Sequence, residues 1–220
     1  MNKRGLFITV EGGEGVGKST GVNLLRDFLS RNGVDIVTTR EPGGTKIGEE
    51  IRDLLLRNRQ ENVSAITELL LIFAARAQHI HDVIEPALAA GSWVLCDRFT
   101  DATYAYQCGG RGVSTEIVRG LEEMVQRELR PDYTLLLDGP VQIGMSRARN
   151  RGELDRIEQE TLEFFERVRM NYLEQATNSG GRYRVVDASL SLNEVEVEIL
   201  RFGGELLTCW TQRLAGSWRN

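Results

Sequence analysis

The chain is poor in several things, and each shortage closes off a class of function. Its three cysteines, Cys96, Cys108 and Cys209, are odd in number and far apart. Neither a disulfide framework nor a zinc spacing can be assembled from them, so a reducing, cytoplasmic setting is expected. The two histidines, His79 and His81, fall on different faces of a helical pattern with no third ligand, and read as non-metal. No apolar run approaches a bilayer span, which argues against a membrane partner. Met1-Asn2-Lys3-Arg4 leads straight into a strand pattern, without the apolar run and cleavage site that a leader peptide needs. Positive charge is not in surplus: the net formal charge is −5, against the basic character that a nucleic-acid backbone selects. Repeats, linkers and low-complexity tracts are also missing. The 220 residues, 27% charged and 41% apolar, therefore read as one globular domain spanning 1–220.

What is present alternates. Strand candidates are Leu6–Glu11, Asp35–Thr39, Trp93–Asp97, Tyr133–Asp138 and Tyr183–Asp187. Between and after them lie helical patterns at Lys18–Arg31, Ile47–Leu56, Ala65–Ala90, Thr115–Glu128, Ile143–Arg149, Glu158–Asn178 and Leu192–Leu207. This order predicts an α/β fold with a five-stranded parallel sheet flanked by helices. Pro86 is expected to end or kink the third helical pattern, and Gly33 to close the first.

The densest signal is Gly12-Gly13-Glu14-Gly15-Val16-Gly17-Lys18-Ser19-Thr20, which follows the apolar run Leu6–Val10. Gly12 to Ser19 fits G-x-x-x-x-G-K-[ST] without a mismatch. Glycines let successive N–H groups turn inward as an anion cradle, and the following helix adds its positive end. Lys18 reaches the β- and γ-phosphates and the Ser19 hydroxyl ligates Mg²⁺. The segment predicts binding of a nucleoside triphosphate. Guanine-specific switch proteins carry Asn-Lys-x-Asp after a late strand, and this sequence has none.

Open α/β sheets bind ligands beyond the carboxyl ends of their strands. The phosphate loop, Arg40-Glu41-Pro42-Gly43-Gly44, Asp97-Arg98 and the stretch Arg147–Arg156 all fall there. Asp97 is favoured over Asp138 as the metal-side carboxylate, because an arginine able to grip a second phosphate follows it. Arg147, Arg149, Arg151 and Arg156 crowd one glycine hinge. They suit a basic lid over phosphates or, paired with Glu153, Asp155 and Glu158, an ordinary solvated helix face. Arg76 interrupts an apolar helix one turn from Phe73, which suits either core packing or a base pocket. Tyr104-Ala105-Tyr106-Gln107 adds aromatics and an amide suited to a nucleoside.

In order and over nearly the whole chain, these pieces resemble the bacterial thymidylate kinases. The carriers are Glu11–Thr20, Thr39–Thr45, Phe73-Ala74-Ala75-Arg76, Asp97-Arg98-Phe99, Tyr104–Gln107 and Arg151-Gly152-Glu153-Leu154-Asp155-Arg156. The resemblance implies a P-loop nucleotide kinase fold, transfer of the ATP γ-phosphate to dTMP with Mg²⁺, and a homodimer. It implies that Lys18, Asp97, Arg98 and Arg151 are catalytic, with Ser19 and Asp97 at the metal. Arg76 would recognise thymine, Tyr106 crowd the sugar 2′ position, Thr103 and Gln107 line the same pocket, and Glu14 lie near the acceptor sugar. Arg40 and Arg147 are candidate phosphate and adenine contacts. Gly15 stands where one branch of the family has a basic residue, so the catalytic arginine is expected from a lid at about 147–158. The family sets its stacking aromatic four residues before the pocket arginine, at Ile72 here. Either Phe73, three before, reaches the base, or an aliphatic face replaces the stack.

Overall fold

The computed structural model describes residues 4–216. Five strands, β1 (Phe7–Gly12), β2 (Ile36–Arg40), β3 (Trp93–Asp97), β4 (Tyr133–Asp138) and β5 (Tyr183–Asp187), form one sheet in the order β2-β3-β1-β4-β5. Every pairing is parallel. The three central strands β1, β3 and β4 are buried on both faces and are nearly continuous apolar runs, whereas the edge strands β2 and β5 are partly exposed and carry polar residues. Trp93 and Leu95 point into one cluster, while Val94 and Cys96 point into the opposite one, as a two-residue period requires.

Helix α1 (Lys18–Arg31) follows β1 directly and buries Val22, Leu25 and Leu29 along one face. Next comes α2 (Lys46–Leu56), where the Thr45 side chain accepts a hydrogen bond from Gly48 N as an N-cap. The expected Ala65–Ala90 helix is three pieces: α3 (Ala65–His79), a π-helical segment Ile80–Ile84, and α4 (Glu85–Ala90). Pro86 does not end a helix here. It sits in the first turn of α4, immediately after the widened π-helical turn Ile80–Ile84, so the irregularity falls before it and the helical run continues. A short α5 (Thr100–Thr103) runs into a second π segment, Tyr104–Gly110.

Beyond α6 (Thr115–Gln126) and α7 (Val141–Arg151), α8 (Leu162–Asn178) starts later than expected, because the Thr161 hydroxyl caps it by accepting from Phe164 N at 3.2 Å. Helix α9 (Leu192–Gly216) continues past Leu207. Gly203 does not break it, since the missing side chain lets Phe28 of α1 pack against that turn.

The register decides where chemistry can occur. Val10 pairs with Asp97, and Arg40 with Asp97 on the other side, so β2 and β3 finish level and β1 runs two residues further, to Gly12. The phosphate loop, the Asp97-Arg98 turn and the Glu41-Pro42 turn, which has a cis peptide, leave from that common rim.

Candidate active site

The loop after β1 ends at an α1 N-terminus that no side chain caps, its N-cap being Gly17. Unpaired N–H groups there are an anion site. Lys18 is buried and folds back so that Nζ donates to the Gly13 carbonyl. Burial, helped by the nearby Arg98 charge and opposed by Glu14, Asp97 and Glu11, brings the Lys18 ammonium down to about 8. A Cβ on Gly15 would lie 2.0 Å from the Gly144 carbonyl of α7, and φ there is +65°. A side chain at position 15 is excluded by this contact, so a basic group cannot be supplied from that point of the loop.

Asp97 and Arg98 stand opposite. Arg98 has φ 70°, rare for a non-glycine residue, and is held from several sides. Its N–H donates to Val10 O at 3.0 Å, and its Nη2 to Glu14 Oε1 at 2.7 Å. The guanidinium lies 4.7 Å from the Tyr106 ring centroid, while Tyr106 OH donates to the same Glu14 oxygen at 2.8 Å. Burial alone would raise the Glu14 carboxyl; the Arg98 and Lys18 charges with these hydrogen bonds outweigh it and bring it down to about 2. The next residue, Phe99, donates its N–H to Glu11 Oε1 at 2.7 Å, and Tyr172 OH donates to Glu11 Oε2 at 2.9 Å. Burial first, then the Asp101 charge, push Glu11 up to about 8.

Asp97 Oδ1 is buried and has no hydrogen-bond partner. Asp138, the rival carboxylate, is held bidentately by Arg169 at 2.7 and 2.8 Å. Among the described residues no group of three or more His, Cys, Asp or Glu converges. Mg²⁺ needs none, because it keeps waters and takes one or two protein oxygens alongside phosphates. An orphaned carboxylate oxygen and the Ser19 hydroxyl on one cavity fit that ion.

That cavity measures about 490 Å³, within the range for a nucleotide-sized ligand. Glu14, Gly15, Gly17, Lys18, Ser19, Thr20, Asp97, Arg98 and Arg147 border it; so do Arg40, Arg76, Thr103, Tyr106 and Gln107. Gly12, Gly13 and Val16 lie behind the loop, beside a void of about 20 Å³. Arg76 is 1% exposed. Its Nε donates to Glu41 Oε2 at 2.7 Å and its Nη2 to Thr103 Oγ1 at 2.9 Å. Glu41 also pairs with His79 Nδ1 at 2.9 Å, which gives that histidine a structural role.

Phe73 requires a correction: it does not line the cavity. It packs with Leu69 and Val118 and lies under the Arg76 guanidinium, 4.8 Å from its centroid. Ile72 takes the cavity wall instead, because one helical position rotates a side chain by about 100°. Arg52 was not anticipated. It borders the cavity and donates to Pro42 O at 3.0 Å, but in sequence it is one charge among many on an amphipathic helix.

Helix α7 carries Arg147 and reaches Arg151, whose side chain lies outside the described residues. Past Gly152, Asp155 Oδ1 accepts from Ile157 N and Glu158 N, both at 2.9 Å, turning the segment back onto the end of α2.

A parallel sheet of this order, a phosphate loop after its first strand and a second phosphate-competent arginine across the rim define a P-loop kinase. Residues 10–199 match the family model described as thymidylate kinase. The thymidylate kinase of Ectopseudomonas mendocina (strain ymp) is 58% identical over 195 residues, covering 89% of this chain and 93% of that protein. That of Pseudomonas syringae pv. tomato is 58% identical over 203 residues, covering 92% and 97%. A crystal structure of thymidylate kinase from Ehrlichia chaffeensis superposes with a TM-score of 0.73 at 32% identity, covering 90% of this chain and 98% of that one. The chain belongs to the thymidylate kinase family.

Glu11 makes stability depend on pH. Its folded value of about 8 lies above its ordinary 4.5, so its contribution is full below about pH 4.5 and is lost as pH rises through 8. Glu11→Gln keeps an acceptor for Phe99 N. Urea unfolding across pH 4.5–8 is expected to show a declining midpoint in the parent and a flatter one in the variant. Equal slopes would remove Glu11 as the source.

Proposed function

We propose that the chain transfers the γ-phosphoryl group of ATP to dTMP, giving dTDP, with Mg²⁺ as the metal. One cavity supports this reading: Lys18, Ser19 and Asp97 line it together with Arg76, Thr103 and Gln107. The loop N–H groups and Lys18 hold the β- and γ-phosphates. Ser19 and the free Asp97 oxygen would hold the ion, which would supply charge neutralisation to the transferring group. Arg98, with Arg40 and Arg52 nearby, grips the acceptor phosphate in fork geometry. Arg76 and Gln107 offer donors to the thymine edge, and Ile72 an aliphatic face. Tyr106, pinned to Glu14, leaves little room for a ribose 2′-hydroxyl. With no basic side chain possible at position 15, Arg151 supplies the transition-state arginine and Arg147 sits toward the adenine. Catalysis is then positioning and charge complementarity.

In this reading the chain is one domain whose segment 147–158 closes as a lid. It works as a homodimer in the cytoplasm, taking no nucleic-acid or membrane partner. Three free cysteines agree with a reducing compartment. The packed pair α3 and α6 exposes Ile66, Leu70, Ile117 and Met124, an apolar face that a second copy would cover.

A coupled assay with ATP and Mg²⁺ against dTMP, dUMP, UMP, AMP and GMP is expected to show dTMP fastest, and Tyr106→Ala to gain ribonucleotide turnover. Faster turnover of AMP, GMP or UMP than of dTMP would end the substrate assignment. Arg151→Ala is expected to cut kcat by ~10³ or more with dTMP affinity within a few-fold of the parent. An unchanged kcat would move the transition-state arginine elsewhere.

A further inference from the structure

Glu68 lies in the first turn of α3, away from the phosphates, and is 1% exposed. Four N–H groups converge on it. Gln107 Nε2 donates to Oε1 at 2.9 Å and Arg111 Nε to the same oxygen at 3.1 Å. Arg156 Nη2 donates to Oε2 at 2.5 Å, with Arg111 Nη2 at 3.3 Å. A carboxylate this deep would prefer to be neutral; the two arginines outweigh burial and hold it below its ordinary range. Arg111 has its own second support, an ion pair with Glu160 and the Phe164 ring 4.8 Å below it.

The partners come from two parts of the site: Gln107 and Arg111 from one π segment and its cap, Arg156 from the chain past α7. Gln107 belongs to the π segment that walls the nucleoside end of the cavity. Arg156 anchors the chain just past α7 to the end of α2, its N–H donating to Leu56 O at 3.0 Å and its Nε to Leu55 O at 2.8 Å. Leu55 and Leu56 line the same cavity. Along α3, Glu68, Ile72 and Arg76 recur every four residues, so one rigid face carries the carboxylate and two cavity groups. The nucleoside wall and the anchor of the segment carrying Arg151 therefore share a single buried anion.

We infer that Glu68 is a positioning residue that couples occupancy of the nucleoside pocket to the 147–158 segment. A nucleotide that fixes Gln107 fixes the carboxylate, and the carboxylate fixes Arg156, so the lid starts from an ordered anchor. The second ligand then binds to a site already ordered, and the coupling is reciprocal. This rests on the reading that the Arg76 end receives dTMP. A glutamine at 68 has one acceptor oxygen, which serves either Gln107 or Arg156, and its amide would face the other as donor against donor.

The test is titration of a non-hydrolysable ATP analogue with Mg²⁺, with and without saturating dTMP, together with kcat and KM. In the parent, dTMP is expected to tighten the analogue by at least about fivefold. Glu68→Gln is expected to keep each ligand's separate affinity within about threefold while the tightening falls toward one and kcat drops about tenfold. Arg156→Met, which leaves the buried carboxylate with Arg111 and Gln107, is expected to lose the tightening with dTMP affinity intact. The inference is overturned if Arg156→Met retains the tightening, or if Glu68→Gln folds and retains it or loses both separate affinities together. A parent that binds dTMP without tightening the analogue overturns it as well. A parent that fails to bind dTMP overturns the functional reading itself.

Discussion

The ion pair between Glu14 and Arg98, 2.7 Å long, ties the phosphate loop to the end of β3 and makes the two halves of the site one body. Arg98 adopts a left-handed backbone that is unfavourable on its own. It persists because neighbours from β1 hold it on both sides: Val10 O takes its N–H, and Glu11 takes that of Phe99. Were any of these lost, the guanidinium and the loop amides would be free to drift apart. In a reaction where little covalent chemistry falls to the protein, such drift is what costs rate.

The same cluster explains the unusual titration around the loop. Lys18 and Glu11 are buried, Glu14, Asp97 and Arg98 are half-buried around them, and the five groups sit close enough for each to feel the others. Burial and the Arg98 charge weaken the Lys18 ammonium, while Asp97 keeps an oxygen with no partner. Both are debts that a polyphosphate and a divalent ion would settle together. The anion restores the ammonium, and the cation gives the carboxylate oxygen something to hold. A site left in mild electrostatic tension favours ligands carrying both charges, and the preorganised dipoles need no rearrangement when charge develops.

How legible this was depended on how local each feature is. The phosphate loop is contiguous, so Gly12 to Thr20 could be read directly; β1, β3 and β4 were recognisable as apolar runs buried on both faces, and the edge strands β2 and β5 as short β-branched and aromatic segments between helical patterns. Arg76 was ambiguous by pattern alone, since an arginine in an apolar helix has two physical readings; the family resemblance implies the base pocket, and the structure has Arg76 both held by Glu41 and Thr103 and on the cavity wall. Phe73 and Ile72 differ by one position, and which faces the cavity is settled by how α3 packs against Val118 of α6, outside any local window. The π segments were invisible, because a widened turn keeps the helical spacing that patterns detect. Glu68, Arg169 and Tyr172 stayed hidden for a related reason. Their partners lie 31 to 161 residues away in sequence, and a lone charge or tyrosine on a helix gives no sign of what the fold brings to it.

A crystal structure with an adenosine–thymidine bisubstrate analogue and Mg²⁺ tests most directly whether two phosphates meet across the β1/β3 rim. The expected result is one continuous ligand, its polyphosphate on the loop amides with the ion touching Asp97 Oδ1 and Ser19, and its thymine beside Arg76. An analogue bound with its two ends in separate pockets, or an ion that leaves the Asp97 oxygen untouched, would contradict the account.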